Sequence, residues 1–257
     1  RVHVVAIPRL GRPAVTFDMR GFGRSRMPDA PFVGLVDHLS DLKRLLHHLG
    51  NPRVTLLGHS LGARLSGLWS ALYPERIDRV IMIEGYYQIY PPTDWPIRFR
   101  RWLEQTELPL RPVPQVTPER LTAFFLRQTA GMSPVLARYL GEQSFTTLPD
   151  GTQVADWAAC HQRPNPKPVD DRQMREALLS LTLPSLVLQS APPYLGAEEI
   201  RLHNPHITLE RLAGGHQLHW ALPIELAERI RLWWDGRLEA PIGPGDAAHG
   251  TGSGFTP

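Results

Sequence analysis

Ten consecutive residues, Val54-Thr55-Leu56-Leu57-Gly58-His59-Ser60-Leu61-Gly62-Ala63, constrain this chain more than any other stretch. A strand-length apolar run enters a serine that has glycine two residues before it and two after, and the helical segment 64–72 follows. A strand that turns sharply into a helix holds the serine in a strained backbone conformation, and the small flanking residues let neighbouring backbone close in. The hydroxyl is then exposed above the edge of a sheet. The first helical turn aims its free N–H groups at the same place, which puts the N–H of Leu61 where it can stabilise an oxyanion. A glycine turn with an incidental serine is the bland alternative, and the flanking strand and helix argue against it.

The rest of the chain supplies a sheet for that turn. Short runs rich in Val, Ile and Leu alternate with longer segments of helical period, the pattern of a parallel sheet covered on both faces. The candidate strands are residues 13–17, 53–57, 80–83, 185–189 and 207–212. Residues 33–49 carry Leu35, Leu42, Leu45 and Leu46 at helix spacing, and residues 224–234 carry Leu226, Ile230 and Trp233, so both are expected to pack on the sheet. From about residue 90 to 180, capped helices and proline-punctuated loops replace the strands. Thr117-Pro118 and Ser133-Pro134 each set a cap residue before a proline at the first helical position, and Pro149-Asp150-Gly151 signals a small hairpin. The expected organisation is a core in two parts, 1–89 and 181–237, interrupted by a lid insertion over 90–180 and followed by a flexible tail over 238–257.

Composition narrows the partners. The chain has 257 residues, 42% hydrophobic and 21% charged, with a net charge of +3 and acidic residues interleaved throughout. No run of like charge marks a nucleic-acid or anionic-membrane partner, and Arg98, Arg100 and Arg101 read as a solvated helix face. The single cysteine, Cys160, cannot form an internal disulfide, and His47 and His48 are adjacent, so they point to different sides of a helix. No cluster has metal-ligand spacing, so neither a metal nor a cofactor is expected. No apolar run approaches the roughly 20 residues that span a bilayer, and no leader-like segment opens the chain, which makes a cytoplasmic location the expectation.

Two further motifs flank the serine turn. Asp18-Met19-Arg20-Gly21-Phe22-Gly23-Arg24-Ser25 follows the first candidate strand, and Gly214-Gly215-His216-Gln217-Leu218-His219-Trp220 follows the last. With the turn at 58–62 they stand in the order found in the α/β-hydrolase superfamily, which the chain resembles across most of its length. The G-G-H-x-L-H ending and the helical insertion resemble, more finely, the serine-hydrolase-like branch. The resemblance implies an α/β fold with a mainly parallel sheet flanked by helices and a helical lid. It also implies a nucleophile at Ser60, a general base at His216, and a loop beside the site organised by Asp18 and Arg20. His219, one helical turn after His216, reads as a packed aromatic neighbour.

The chain departs from the family's pattern twice. A serine hydroxyl needs a base to take its proton, and the base needs a carboxylate to fix its tautomer and stabilise the imidazolium. Family members carry that acid after the strand equivalent to 185–189, where this chain reads Ser190-Ala191-Pro192-Pro193-Tyr194 and Pro193 occupies the slot. Others place it after the strand that follows the elbow helix, and here that strand ends Ile81-Met82-Ile83-Glu84-Gly85, making Glu84 the candidate acid. Glu84 stands at the C-terminal end of a strand beside the elbow strand, the edge at which open α/β folds bind ligands. Glu198 or Glu199 reaching back, or no acid at all, are the alternatives. The family also carries a His-Gly strand end about two dozen residues before D-x-R-G, which gives the second oxyanion N–H. Only 17 residues precede Asp18, so N-terminal strands are expected to be missing from this chain. Residues 248–255 resemble such a loop and offer a circular alternative, with a floppy tail as the simpler reading.

The chemistry expected is hydrolysis of a small carboxylic ester by acyl transfer through Ser60, with His216 shuttling the proton, Glu84 orienting it and Leu61 holding the oxyanion. In the family, dehalogenases and epoxide hydrolases resemble this elbow with aspartate in place of serine, which argues against their chemistry. Thioester and carbon–carbon cleavage stay open, since the same triad serves them. Tyr86, Tyr87, Trp95, Phe99, Trp102, Phe124 and Phe125 suggest an apolar substrate pocket, although packing of the lid is the simpler account of any one. The expected partner is a small apolar ester, and the sequence leaves the oligomeric state open. A rival from another class is a weak or inactive protein that binds a small apolar ligand under the lid. Losing one oxyanion donor costs about a hundredfold to a thousandfold in rate, which leaves slow turnover and not silence.

Overall fold

The computed structural model describes residues 11, 13–23, 25, 33–85, 95–106, 117–129, 131–147, 153–155, 171–191, 201 and 203–238. Helix α1 (Leu35–His48) leads to strand β1 (Val54–His59), helix α2 (Leu61–Leu72) and strand β2 (Ile77–Ile83). Helices α3 (Trp95–Thr106), α4 (Pro118–Gln128) and α5 (Pro134–Gln143) follow, then strands β3 (Phe145–Thr147) and β4 (Gln153–Ala155). Helix α6 (Asp171–Leu179), strands β5 (Ser185–Ala191) and β6 (Ile207–Ala213), and helices α7 (Leu218–Ala221) and α8 (Pro223–Trp234) complete the order. Strands β1, β2, β5 and β6 pair in that order, every pair parallel, while β3 and β4 form an antiparallel hairpin around the turn signal. The fold is therefore α/β, a parallel sheet flanked by helices, with a helical insertion between β2 and β5 consistent with a lid.

The period of two along each strand sorts the core into two layers. Val80 and Met82 of β2 join Val187 and Leu209 in a cluster with Leu42 of α1, Leu68 and Trp69 of α2, and Met174 and Leu178 of α6. Ile81 and Ile83 face the other way and meet Leu186, Leu188 and Leu212 with Leu226 and Ile230 of α8. Side chains buried this fully each contribute about 1.5–3 kcal/mol, and burial on both faces is why residues 80–83 and 186–188 read as unbroken apolar runs. Helices α4 and α5 both form: the Thr117 hydroxyl accepts from the Arg120 N–H at 3.3 Å, whereas Ser133 precedes Pro134 at the start of α5 without a side-chain capping hydrogen bond.

Residues 13–17 do not form the expected strand. They are exposed, Val15 by 65% and Phe17 by 44%, and they lie in no ladder among the described residues. A short apolar run makes a strand only where a second segment supplies hydrogen bonds. The stretches 4–10 and 248–255, together with Tyr86, Tyr87, Cys160, Pro193, Glu198 and Glu199, lie outside the described residues. Among the described residues, no helix is long and apolar enough to cross a membrane, and no group of three His, Cys, Asp or Glu is placed to hold a metal ion.

Candidate active site

Parallel pairing puts the C-terminal ends of all four strands on one edge of the sheet, and the site is built there. The register pairs His59 with Ile83, so Ser60 and Glu84 are the next residue on each of two neighbouring strands. Ser60 has φ 53° and ψ −115°. A non-glycine residue at such angles stores about 1–3 kcal/mol of strain and persists only where its surroundings over-determine it. Here they do. The Ser60 N–H donates to the Ile83 carbonyl at 2.8 Å, and the Ser60 carbonyl accepts from the Ala63 and Arg64 N–H groups at 3.1 and 3.2 Å. A Cβ on Gly58 would lie 2.1 Å from the Gly62 carbonyl oxygen, and one on Gly85 would lie 2.0 Å from that of Ser60. Leu61 is the first residue of α2, so its N–H is among the amides that the helix itself leaves without an acceptor.

His216 sits in the turn between β6 and α7, with Nε2 3.0 Å from the Ser60 hydroxyl oxygen. Its Nδ1 lies 3.6 Å from Oε2 of Glu84, whose side chain is wholly buried. That separation is an ion-pair distance slightly longer than a hydrogen bond, and contacts of this kind tighten when substrate is bound. A carboxylate beside Nδ1 favours the tautomer protonated there, leaving Nε2 to accept from the Ser60 O–H. Glu84 itself lies in the left-handed region at φ 52°. Its N–H donates to the Leu188 carbonyl at 2.9 Å, and its Oε1 accepts from the Ser190 N–H. The end of β5, next to the loop where family members carry their acid, here pins Glu84 instead.

Two more imidazoles crowd His216. The His59 ring lies 4.8 Å from that of His216 and 4.2 Å from that of His219. Burial pushes the His59 pKa down to about 4, against the raising effects of its hydrogen bond to the His216 carbonyl and of the Glu84 charge. Burial also pushes His219 down to about 3, helped by the charges of His59 and His216. Neither ring nitrogen of His219 has a hydrogen-bond partner among the described residues. Trp220, the next residue, meets Phe125 of α4 edge to face at 5.3 Å, which joins the insertion to the segment that carries His216. Phe124 is 45% exposed and Phe99 packs on Trp102 at 5.3 Å, while the side chains of Trp95 and Arg98 lie outside the described residues.

Arg20 ties its loop to α1: Nε donates to Asp41 at 2.6 Å, a second guanidinium nitrogen also binds Asp41, and Asp37 lies 3.6 Å away. Sequence reasoning brought Ser60, His216, Glu84 and Leu61 to this edge but did not single out His59, Gly85 or the Ser190 N–H. A glycine directly after an acidic strand end was the available signal for Gly85. Nothing local marks His59, whose partner is 157 residues away.

A model of the alpha/beta hydrolase fold matches residues 4–135, just over half of the chain. The chain belongs to the α/β-hydrolase fold family. A serine hydrolase-like protein of Danio rerio is 34% identical over 73 residues, 28% of this chain and 22% of that protein, so the match spans less than a quarter of its length. A 3-oxoadipate enol-lactonase 2 of Acinetobacter baylyi is 29% identical over 209 residues, 79% of this chain and 71% of that protein. A thioesterase domain from the curacin biosynthetic pathway superposes with a TM-score of 0.69 at 19% identity, covering 84% of this chain and 79% of that one, a likeness of fold. This α/β-hydrolase-fold chain carries Ser60, His216 and Glu84 in an arrangement consistent with ester hydrolysis.

Proposed function

We propose that this chain is a carboxylic ester hydrolase that acts on a small, largely apolar ester by acyl transfer through Ser60. The observation that carries the reading is the 3.0 Å contact between His216 Nε2 and the Ser60 hydroxyl, with Glu84 beside the other ring nitrogen. Ser60 attacks the carbonyl carbon as its proton passes to His216, and the carbonyl electron pair moves onto the oxygen facing the Leu61 N–H. Collapse breaks the ester bond, and the alcohol leaves with the proton that His216 returns. Water then attacks the acyl-enzyme by the same route and releases the carboxylic acid and free Ser60. The Glu84 carboxylate beside Nδ1 balances the transient imidazolium.

The insertion over 90–180 acts as a lid on a core formed by 1–89 and 181–237, and the Phe125–Trp220 contact supports that role. The match to an enol-lactonase over 79% of the chain is a reason to include a cyclic ester among the substrates assayed. Purified protein assayed on short-chain aryl esters, a lactone and an acyl thioester is expected to turn over the oxygen esters fastest. Ser60→Ala and His216→Ala should remove that turnover. A wild-type chain no faster than Ser60→Ala on every substrate, yet retaining an apolar ligand, would make it a binding protein.

A further inference from the structure

The last residue of β1 reaches across the site to the backbone of the base. His59 Nε2 lies 2.7 Å from the main-chain oxygen of His216. A carbonyl only accepts, so Nε2 carries the proton and donates. The turn it reaches follows Gly214 and Gly215, residues whose backbones lose the most freedom on ordering. A Cβ on Gly215 would meet nothing within 4 Å, so packing at that residue does not fix the turn. The strand β1, in contrast, is paired with β2 along its whole length and continues into the over-determined Ser60.

We propose that His59 is a positioning residue: its Nε2–H anchors the His216 peptide to β1, so that the ring presents Nε2 to Ser60 and Nδ1 to Glu84. The proposal rests on the reading of Ser60 as nucleophile and His216 as its base. The anchor suits that chemistry because it is neutral. His59 faces His216, His219 and Glu84, and its burial holds the pKa at about 4, so at neutral pH it adds no second cation 4.8 Å from the imidazolium that forms during the reaction. The remaining ring nitrogen, Nδ1, is then unprotonated, and His59 is a single-proton donor. Serine and base must be held to within about an ångström, since a displacement of that size costs on the order of a hundredfold in rate.

The test separates positioning from packing. Fluorophosphonate inactivation is measured over a range of probe concentrations, giving a saturation constant and a limiting rate, for wild type, His59→Phe and His59→Gln. His59→Phe keeps a flat ring without the donor, and His59→Gln restores an N–H near the position of Nε2. The limiting rate should fall about tenfold to a hundredfold in His59→Phe, with the saturation constant and Tm little changed, and recover most of the way in His59→Gln. Equal losses in both variants, or none in either, would overturn the proposal. If His59→Phe does not fold, His59→Met makes the same comparison. Amide hydrogen exchange over 214–218 provides a readout independent of chemistry: loss of the donor should speed it and Gln should slow it again. Unlabelled wild type would defeat the reading of Ser60, and unchanged exchange would defeat the role of His59, so the two failures are distinguishable.

Discussion

The two ends of the site's edge are held by different means. After β1 and β2, Ser60 and Glu84 both sit at positive φ, 53° and 52°, and main-chain hydrogen bonds and close backbone contacts hold them there. After β6, His216 stands in a glycine-led turn with 39% of its side chain exposed, and among the described residues the side chains of Ser60, Glu84 and His59 contact it. Ser60 and Glu84 therefore arrive with the sheet, at the cost of stored strain. His216 is the adjustable member of the three. Changes that crowd the backbone on the first side should damage fold and rate together, whereas the same changes on the second should leave the fold intact.

The largest effect tests the acid. Glu84→Gln keeps an oxygen to accept from the Ser190 N–H while removing the charge beside His216 Nδ1, and kcat on an activated ester should fall about ten-thousandfold with little change in Tm. Near-normal turnover in this variant, with Ser60→Ala inactive, would make Glu84 a structural residue and return the role to Glu198 or Glu199. Next comes Gly85→Ala, whose new Cβ would stand 2.0 Å from the Ser60 carbonyl oxygen, a backbone atom that cannot swing aside. Urea unfolding should show a loss of about 3 kcal/mol, and labelling of Ser60 should fall with it.

A smaller effect concerns pH. His59 and His219 are pushed down to about 4 and about 3, so both stay neutral in the folded chain while each takes up a proton near pH 6.5 once unfolded. Their contribution to stability is complete above about pH 6.5 and is lost as pH falls towards 4 for His59 and towards 3 for His219, at about 1.4 kcal/mol per pH unit for each proton. His219→Phe should make that decline shallower by about one proton. A slope unchanged by the substitution would mean that His219 titrates normally. The smallest effect is Gly215→Ala: with nothing within 4 Å of the new Cβ, unfolding should shift by less than about 0.5 kcal/mol. If Gly85→Ala and Gly215→Ala lose equal stability, the contrast between the two ends fails.

What the sequence made legible follows the range of each interaction. The turn at Ser60 announces itself because strand, glycines and helix lie within ten residues. Helix α1 was readable from Leu35, Leu42 and Leu46, which are buried at helix spacing. Glu84 was reachable only by reasoning from topology, through the adjacency of β1 and β2. Gly85 and His59 depend on approaches made by residues distant in sequence, which no local pattern encodes. Residues 13–17 show the reverse error: a short apolar run suits a strand, but a strand needs a ladder as well as a pattern.

The central claim is that Ser60 is a nucleophile activated by His216, and intact-protein mass spectrometry after exposure to a fluorophosphonate tests it most directly. One adduct is expected, mapped by peptide digestion to Ser60, absent from Ser60→Ala and formed far more slowly in His216→Ala. An unmodified wild-type chain, or an adduct on any other residue, would contradict it.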